Sequence, residues 1–131
     1  MKIRKITRDD FPKILAFADI YLRRDWLIRK QYLTDRINDC IICESVDGKL
    51  LGFGIISPKT KTLINLIVHP KFRGQGIGKK ILKFINPQII HSKANQSTGD
   101  PKSFYLKNGY EIDQNALSKK SHIEILKKIE R

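Results

Sequence analysis

Between Gly48 and Gly99 the chain carries no aspartate or glutamate, although nine lysines and arginines lie in that span. An anion bound there meets a positive field with almost nothing nearby to cancel it. Cysteine is nearly as scarce, and two residues, Cys40 and Cys43, cannot build a disulfide framework. They stand as Cys-x-x-Cys in an apolar, β-branched run with no second pair, so they read as reduced thiols without redox or metal chemistry. No apolar run approaches the roughly 18 residues of a membrane span, and Met1 to Arg8 is polar rather than signal-like. A cytoplasmic location with no membrane partner is expected. Linker-like stretches and internal repeats are also missing, so residues 1–131 are expected to form a single domain.

What is present is charge. The net charge is +13, with 40% hydrophobic and 30% charged residues. Residues 1–65 carry 13 basic and 8 acidic side chains, net +5, whereas 66–131 carry 13 and 5, net +8. The surplus leaves room for an anionic partner such as nucleic acid. A lysine-rich solvated surface produces the same composition.

The most informative stretch runs from Val68 to Leu82. An apolar run, Leu63 to Val68, enters a loop with glycines at 74, 76 and 78, and an amphipathic run leaves it. That pattern is strand, turn, helix. Glycine removes the Cβ atoms that keep a ligand from the backbone. A turn opening directly into a helix adds its N–H groups to the positive end of the helix, which suits phosphate or pyrophosphate. Arg73, Lys79, Lys80 and Lys83 add full charges. A P-loop is excluded because Gly78 is followed by Lys79-Lys80, with no hydroxyl for a metal. The dinucleotide fingerprint Gly-x-Gly-x-x-Gly is excluded by the spacing Gly74-x-Gly76-x-Gly78 and by the lack of an acidic residue about twenty positions on.

Arg73, Gly76 and Gly78 resemble the signature of the GNAT N-acetyltransferase superfamily: Arg or Gln, two residues, Gly, one residue, Gly or Ala. Val68-x-Pro70 before it and Ile81-Leu82 after it are similar to that family as well. So is Phe104-Tyr105 followed by Gly109-Tyr110. The resemblance implies acetyl-CoA as cosubstrate and no metal. It implies contacts to that cosubstrate from Leu66, Ile67, Val68, Arg73, Gly74, Gln75, Gly76, Ile77, Gly78, Lys79, Asn95 and Tyr105. Thr98 stands where many members place an asparagine, with Asn95 as its substitute.

The element order agrees with such a fold. A first strand is expected over Met1 to Thr7. A helix capped by Asp9 or Asp10 then runs to about Arg24, and a second helix spans Asp25 to Ile37. Cys40–Val46 and Leu50–Ser57 read as a hairpin turning at Asp47-Gly48, and Thr62–Val68 as the strand feeding the loop. After a helix ending near Ile85, Asn86-Pro87 breaks the chain. Gln88–His91 is a short strand, and a short helix from Asp100-Pro101 stops at Gly109. Tyr110–Ile112 and Ile123–Ile129 complete the set. The expectation is an α/β (mixed α+β) domain with a mixed, mostly antiparallel sheet of six to seven strands flanked by about four helices.

The resemblance makes Tyr105 the general acid that protonates the departing coenzyme A thiolate. It implies attack by an acceptor amine on a carbonyl polarised by a main-chain N–H near Val68. Many members supply a carboxylate base from the strand before the loop, and Thr62–Val68 has none. Either Asn65 orders a water, or Glu44, His69 or His91 serves, or no base is needed because an α-amine of pKa near 7.7–8.0 is partly neutral at pH 7. Arg23, Arg24, Arg29 and Lys30 border the acceptor region implied by the resemblance. The reading is N-acetylation of a primary amine. Its alternatives are modification of a nucleic acid or aminoacyl-RNA, as in toxin-like members, and a non-catalytic acyl-CoA-binding module. Monomer and homodimer are both open.

Overall fold

The computed structural model describes residues 1–21, 30–93, 101–116 and 123–130. The strands are β1 (Lys2–Lys5), β2 (Cys40–Glu44), β3 (Leu50–Ser57), β4 (Thr62–Val68), β5 (Ile89–Lys93), β6 (Tyr110–Ile112) and β7 (Ile123–Lys128). The helices are α1 (Phe11–Tyr21), α2 (Lys30–Asp35), α3 (Ile77–Ile85) and α4 (Lys102–Lys107). The seven strands form one sheet in the order β1-β2-β3-β4-β5-β7-β6. Every neighbouring pair is antiparallel except β4 and β5. The expected mixed α/β architecture is therefore the one observed. No helix among the described residues is long and apolar enough to cross a membrane.

The two faces of the sheet carry separate cores. Ile14, Phe17 and Leu33 from α1 and α2 pack with Ile42, Phe53 and Ile67. On the other face Ile77 and Ile81 of α3 pack with Cys43 and Leu51, and Leu82 of α3 meets Leu63, Ile90 and Leu126. Gly54 brings α3 close to β3, since a Cβ there would lie 2.7 Å from Ile85 Cδ1 and 3.1 Å from Ile81 Cγ2. Cys40 and Cys43 are free and buried in opposite cores, as three residues along a pleated strand require. Burial pushes the Cys40 thiol up to about 12, so it stays protonated.

Several boundaries differ from the sequence reading, each for a physical reason. The first turn is held by Asp10, whose carboxylate accepts from Thr7 N–H at 2.7 Å, and α1 begins only at Phe11 after a 3-10 turn. The cap is thus a Thr7–Asp10 pair rather than an aspartate at the helix start. β2 stops at Glu44, leaving Val46 97% exposed in the turn. β5 extends to Lys93 through polar residues because ladder bonds to β7 carry it, with Ser92 opposite Glu124 and Lys93 opposite Ile123. α4 starts at Lys102, with Pro101 as its N-cap.

Arg4 ties the N-terminus to the sheet. Its guanidinium donates to both Asp10 oxygens at 2.8 Å and to Glu44 Oε1 at 2.8 Å, and Lys13 reaches Glu44 Oε2 at 3.3 Å. The Asp10 side chain is 5% exposed. Arg4 holds both carboxyls below the usual carboxylate range, Asp10 well below. Folded-state values below the unfolded ones contribute stability above pH ~4–5, and it is lost as pH falls through the folded values. The thermal midpoint should therefore fall between pH 5 and pH 3. Arg4→Met should cost about 2 kcal/mol at pH 7 by stranding Asp10, and it should flatten that acid slope. Parallel slopes in the two proteins would rule this network out as the acid-sensitive element.

Candidate active site

β4 and β5 pair only at Thr62–Ile89 and Leu63–Ile90. Among the described residues, Leu66–Val68 has no ladder partner on the β5 side of β4. A strand edge opened inside a sheet offers N–H and C=O groups to an extended ligand. The pairing of β4 with β3 also slips there: Asn65 faces Ile55, Leu63 faces Ile56, and Ile64 is the extra residue. This bulge puts Leu63 and Leu66 against the same core, although strict alternation would separate them.

At the end of β4 the chain is pinned by His69 N–H donating to Leu51 O at 2.8 Å. His69 caps a 3-10 turn over Pro70–Phe72, its Nδ1 accepting from Lys71 N–H at 3.1 Å. Burial, then Lys49 and Lys71, lower its pKa, so its ring favours the neutral form. Arg73 follows, and Gly74 and Gly76 take φ of +81° and +79°. A Cβ at either glycine would meet no atom of the described residues within 4 Å, so the backbone faces open space there. Gly76 is the N-cap of α3, leaving the first N–H groups of that helix directed outward. Gly78 serves differently. It has no left-handed φ, and its Cβ would lie 3.2 Å from Phe104 Cζ and 3.3 Å from Val68 Cγ2, so its lack of a side chain lets α3 approach α4 and β4.

These elements enclose a cleft of about 450 Å³. Of the predicted residues, Leu66, Ile67, Val68, Arg73, Gly74, Gly76, Ile77, Gly78, Lys79 and Tyr105 line it, together with Phe72, Pro101, Phe104 and Asn108. No aspartate or glutamate is among them. Gln75 is exposed on the loop and Asn65 is buried in β4, both outside the lining. Asn95, Thr98, Arg23, Arg24 and Arg29 lie outside the described residues, and Lys30 is exposed at the start of α2. Glu44 is engaged by Arg4 and Lys13, and neither it nor His69 nor His91 lines the cleft. Phe104 and Asn108 were missed as lining residues. Their signal was in the sequence, since they stand one before and three after Tyr105 on a short helix.

Tyr105 is 4% exposed, and among the described residues its hydroxyl has no hydrogen-bond partner. Tyr110, equally buried, donates to Pro87 O at 2.6 Å. A buried hydroxyl without a partner costs about 1–3 kcal/mol, and it is retained where a ligand completes it. Burial and then the neighbouring Tyr110 raise the Tyr105 pKa above the ordinary phenol value. The cleft therefore joins a positive cradle of backbone N–H groups, an open strand edge and a protonated phenol. That combination fits a pyrophosphate bearing an extended amide-containing arm, and coenzyme A has that form.

The comparisons agree. No curated protein matches the chain in sequence. Among solved structures, N-acetylglutamate synthase from Neisseria gonorrhoeae, complexed with coenzyme A and N-acetyl-glutamate, superposes with a TM-score of 0.73 at 18% identity over 99% of this chain. This chain spans only 35% of that protein's length. The PaiA N-acetyltransferase of Thermoplasma acidophilum, in complex with coenzyme A, gives 0.70 at 20% identity, covering 98% of each chain. Arabidopsis thaliana Naa50, in complex with the bisubstrate analogue CoA-Ac-MVNAL, gives 0.70 at 15% over 97% of each. At these identities the likeness is one of fold. Residues 37–112 match the Acetyltransferase (GNAT) domain family. With its open β4 edge, its glycine loop and more than half its length inside that match, the chain belongs to the GNAT acetyltransferase family, whose fold supports acyl transfer from coenzyme A.

Proposed function

We infer that the protein moves an acetyl group from acetyl-CoA to a primary amine by direct attack, with Tyr105 as the general acid. The observation that carries this reading is the buried Tyr105 hydroxyl, which has no hydrogen-bond partner among the described residues and lines the cleft that begins at the glycine loop. The cosubstrate supplies an activated thioester. The chain's own residues do the rest. The N–H groups of the Gly76–Lys79 turn and the Arg73 and Lys79 side chains hold the pyrophosphate. The free edge of β4 at Leu66–Val68 aligns the arm, and its N–H groups polarise the carbonyl. Phe104 and Leu66 exclude water, and Tyr105 delivers a proton to the departing sulfur.

With no carboxylate among the described residues that line the cleft, the amine is expected to arrive neutral, which favours an α-amine over a lysine side chain. The acid-free span from Gly48 to Gly99 argues for including anionic acceptors, aminoacylated RNA among them, in any panel. The test is the thermal midpoint with and without millimolar acetyl-CoA, followed by thiol release in the presence of each acceptor. Acetyl-CoA at 100 times its Kd should stabilise by about 2.7 kcal/mol, a rise of several degrees. No rise would overturn the cofactor reading. A rise with no thiol release from any acceptor would favour a binding module.

A further inference from the structure

Phe72, Arg73 and Gly74 of the cleft wall hang from the end of β4 by His69, Pro70 and Lys71. Hydrogen bonds converge on the first of these. The His69 N–H donates to Leu51 O at 2.8 Å, its carbonyl oxygen accepts from Phe72 N–H at 2.9 Å, and its Nδ1 accepts from Lys71 N–H at 3.1 Å. The first bond ties His69 to β3, and the other two tie the following turn to His69. The ring is also a strut. Its centroid stands 5.2 Å from that of Phe72, edge to face, and 5.8 Å from that of Phe17 on α1, which meets Phe53 at 5.8 Å. Phe17 and Phe53 belong to the core under α1, whereas Phe72 packs on the core under α3. His69 therefore joins both sides of the sheet at the point where the glycine loop begins.

We propose that His69 is a positioning residue for the cosubstrate, acting through Phe72 and Arg73 to hold the cleft wall and the entry to the glycine loop in the conformation that binds coenzyme A. The proposal rests on the coenzyme A reading of the cleft. His69 does not itself line the cleft, and its Nδ1 is engaged by Lys71 N–H. Its residue type follows from its place. Aspartate or asparagine is the ordinary cap for such a turn. Aspartate would put a carboxylate four positions before Arg73, inside the span that carries no acid and beside an anion cradle. Histidine supplies the same acceptor and an aromatic face with no negative charge. Acceptance at Nδ1 leaves the proton on Nε2, and partial burial with Lys49 and Lys71 nearby keeps the ring in the neutral form that this bond needs.

The experiment is calorimetric titration of the full chain with coenzyme A, with thermal midpoints taken alongside, for the wild type and four variants. His69→Ala removes cap and strut and should weaken binding about tenfold, the worth of one hydrogen bond that orders the site. His69→Phe keeps an aromatic ring without the acceptor and should be as weak as the alanine variant. His69→Asn keeps the acceptor and should recover affinity to within about threefold of wild type. His69→Asp keeps it too but adds charge, and should bind about fivefold more weakly than His69→Asn at low salt, a gap that closes in 0.5 M salt. Alanine and phenylalanine variants that bind within twofold of wild type would make His69 a folding element only and overturn the proposal. So would an asparagine variant as weak as the phenylalanine one, a comparison that holds even if His69→Ala does not fold. Failure of the wild type to bind coenzyme A would instead overturn the reading on which the proposal rests.

Discussion

Gly76→Glu is expected to weaken acetyl-CoA binding by at least about a hundredfold while leaving the protein folded. Gly76 sits at φ +79° as the N-cap of α3, with open space where a side chain would project. A non-glycine residue there costs about 1–2 kcal/mol of backbone strain. Gly76→Ala isolates that strain and should lower the thermal midpoint by a few degrees, with no clash to relieve. Glutamate adds a carboxylate at the positive end of a helix, which offsets part of the strain. The Glu variant should therefore be at least as stable as the Ala variant. It places its negative charge where a pyrophosphate must lie, however. At about 4 Å and an effective dielectric near 20, each such repulsion is worth about 4 kcal/mol, more than the hundredfold predicted. Titration calorimetry on both variants separates the effects. If Gly76→Glu bound acetyl-CoA within threefold of wild type, this turn would not be the pyrophosphate cradle.

The sequence disclosed this turn because its requirements are local. Positive φ, an absent Cβ and a following amphipathic run are all read within fifteen residues, and β3, β4, β6 and the end of α3 fell at their expected residues for the same reason. Asn86 ends α3 at φ +50° and Gly109 follows α4 at φ +94°, both where local turn chemistry placed a stop. What stayed hidden depends on contacts between distant segments. Nothing near Ile64 announces a bulge, because the slip is defined by which residues of β3 it faces. The close approach at Gly54 needs Ile81 and Ile85, some thirty residues on, to be legible.

The division between the glycines shows the same limit. From sequence, 74, 76 and 78 look alike as bare backbone for a ligand. In the fold two of them face open space in a left-handed conformation, while Gly78 is spent on packing against Phe104 and Val68. Asn65 illustrates the converse. Its position on β4 made it the most polar interior residue before the loop, yet the bulge and strand alternation bury it outside the cleft lining. Lys128 near the C-terminus meets Asn86 only because β7 inserts between β5 and β6, an order that local pattern does not reveal.

Tyr105→Phe should separate catalysis from stability more sharply than any other single change. A positioned general acid contributes about 10²–10⁴ in rate. The variant should lose about 10²–10³ in kcat, with KM for acetyl-CoA within about threefold, since the ring and its 5.4 Å edge contact with Phe104 are kept. The raised pKa sets the sign of the pH effect. Tyr105 is protonated at neutral pH and remains so past the ordinary phenol value near 10, so its ionisation causes no loss of rate in the neutral range. An acid limb in the neutral range then reports the acceptor amine, and it should persist in the variant at reduced amplitude. Stability should move the other way. Removing a hydroxyl that lacks a partner among the described residues relieves a desolvation cost, so the thermal midpoint of Tyr105→Phe should equal or exceed that of the wild type. A variant that kept kcat within threefold would assign the proton to another donor. One that lost both activity and several degrees of stability would make the hydroxyl a structural group instead.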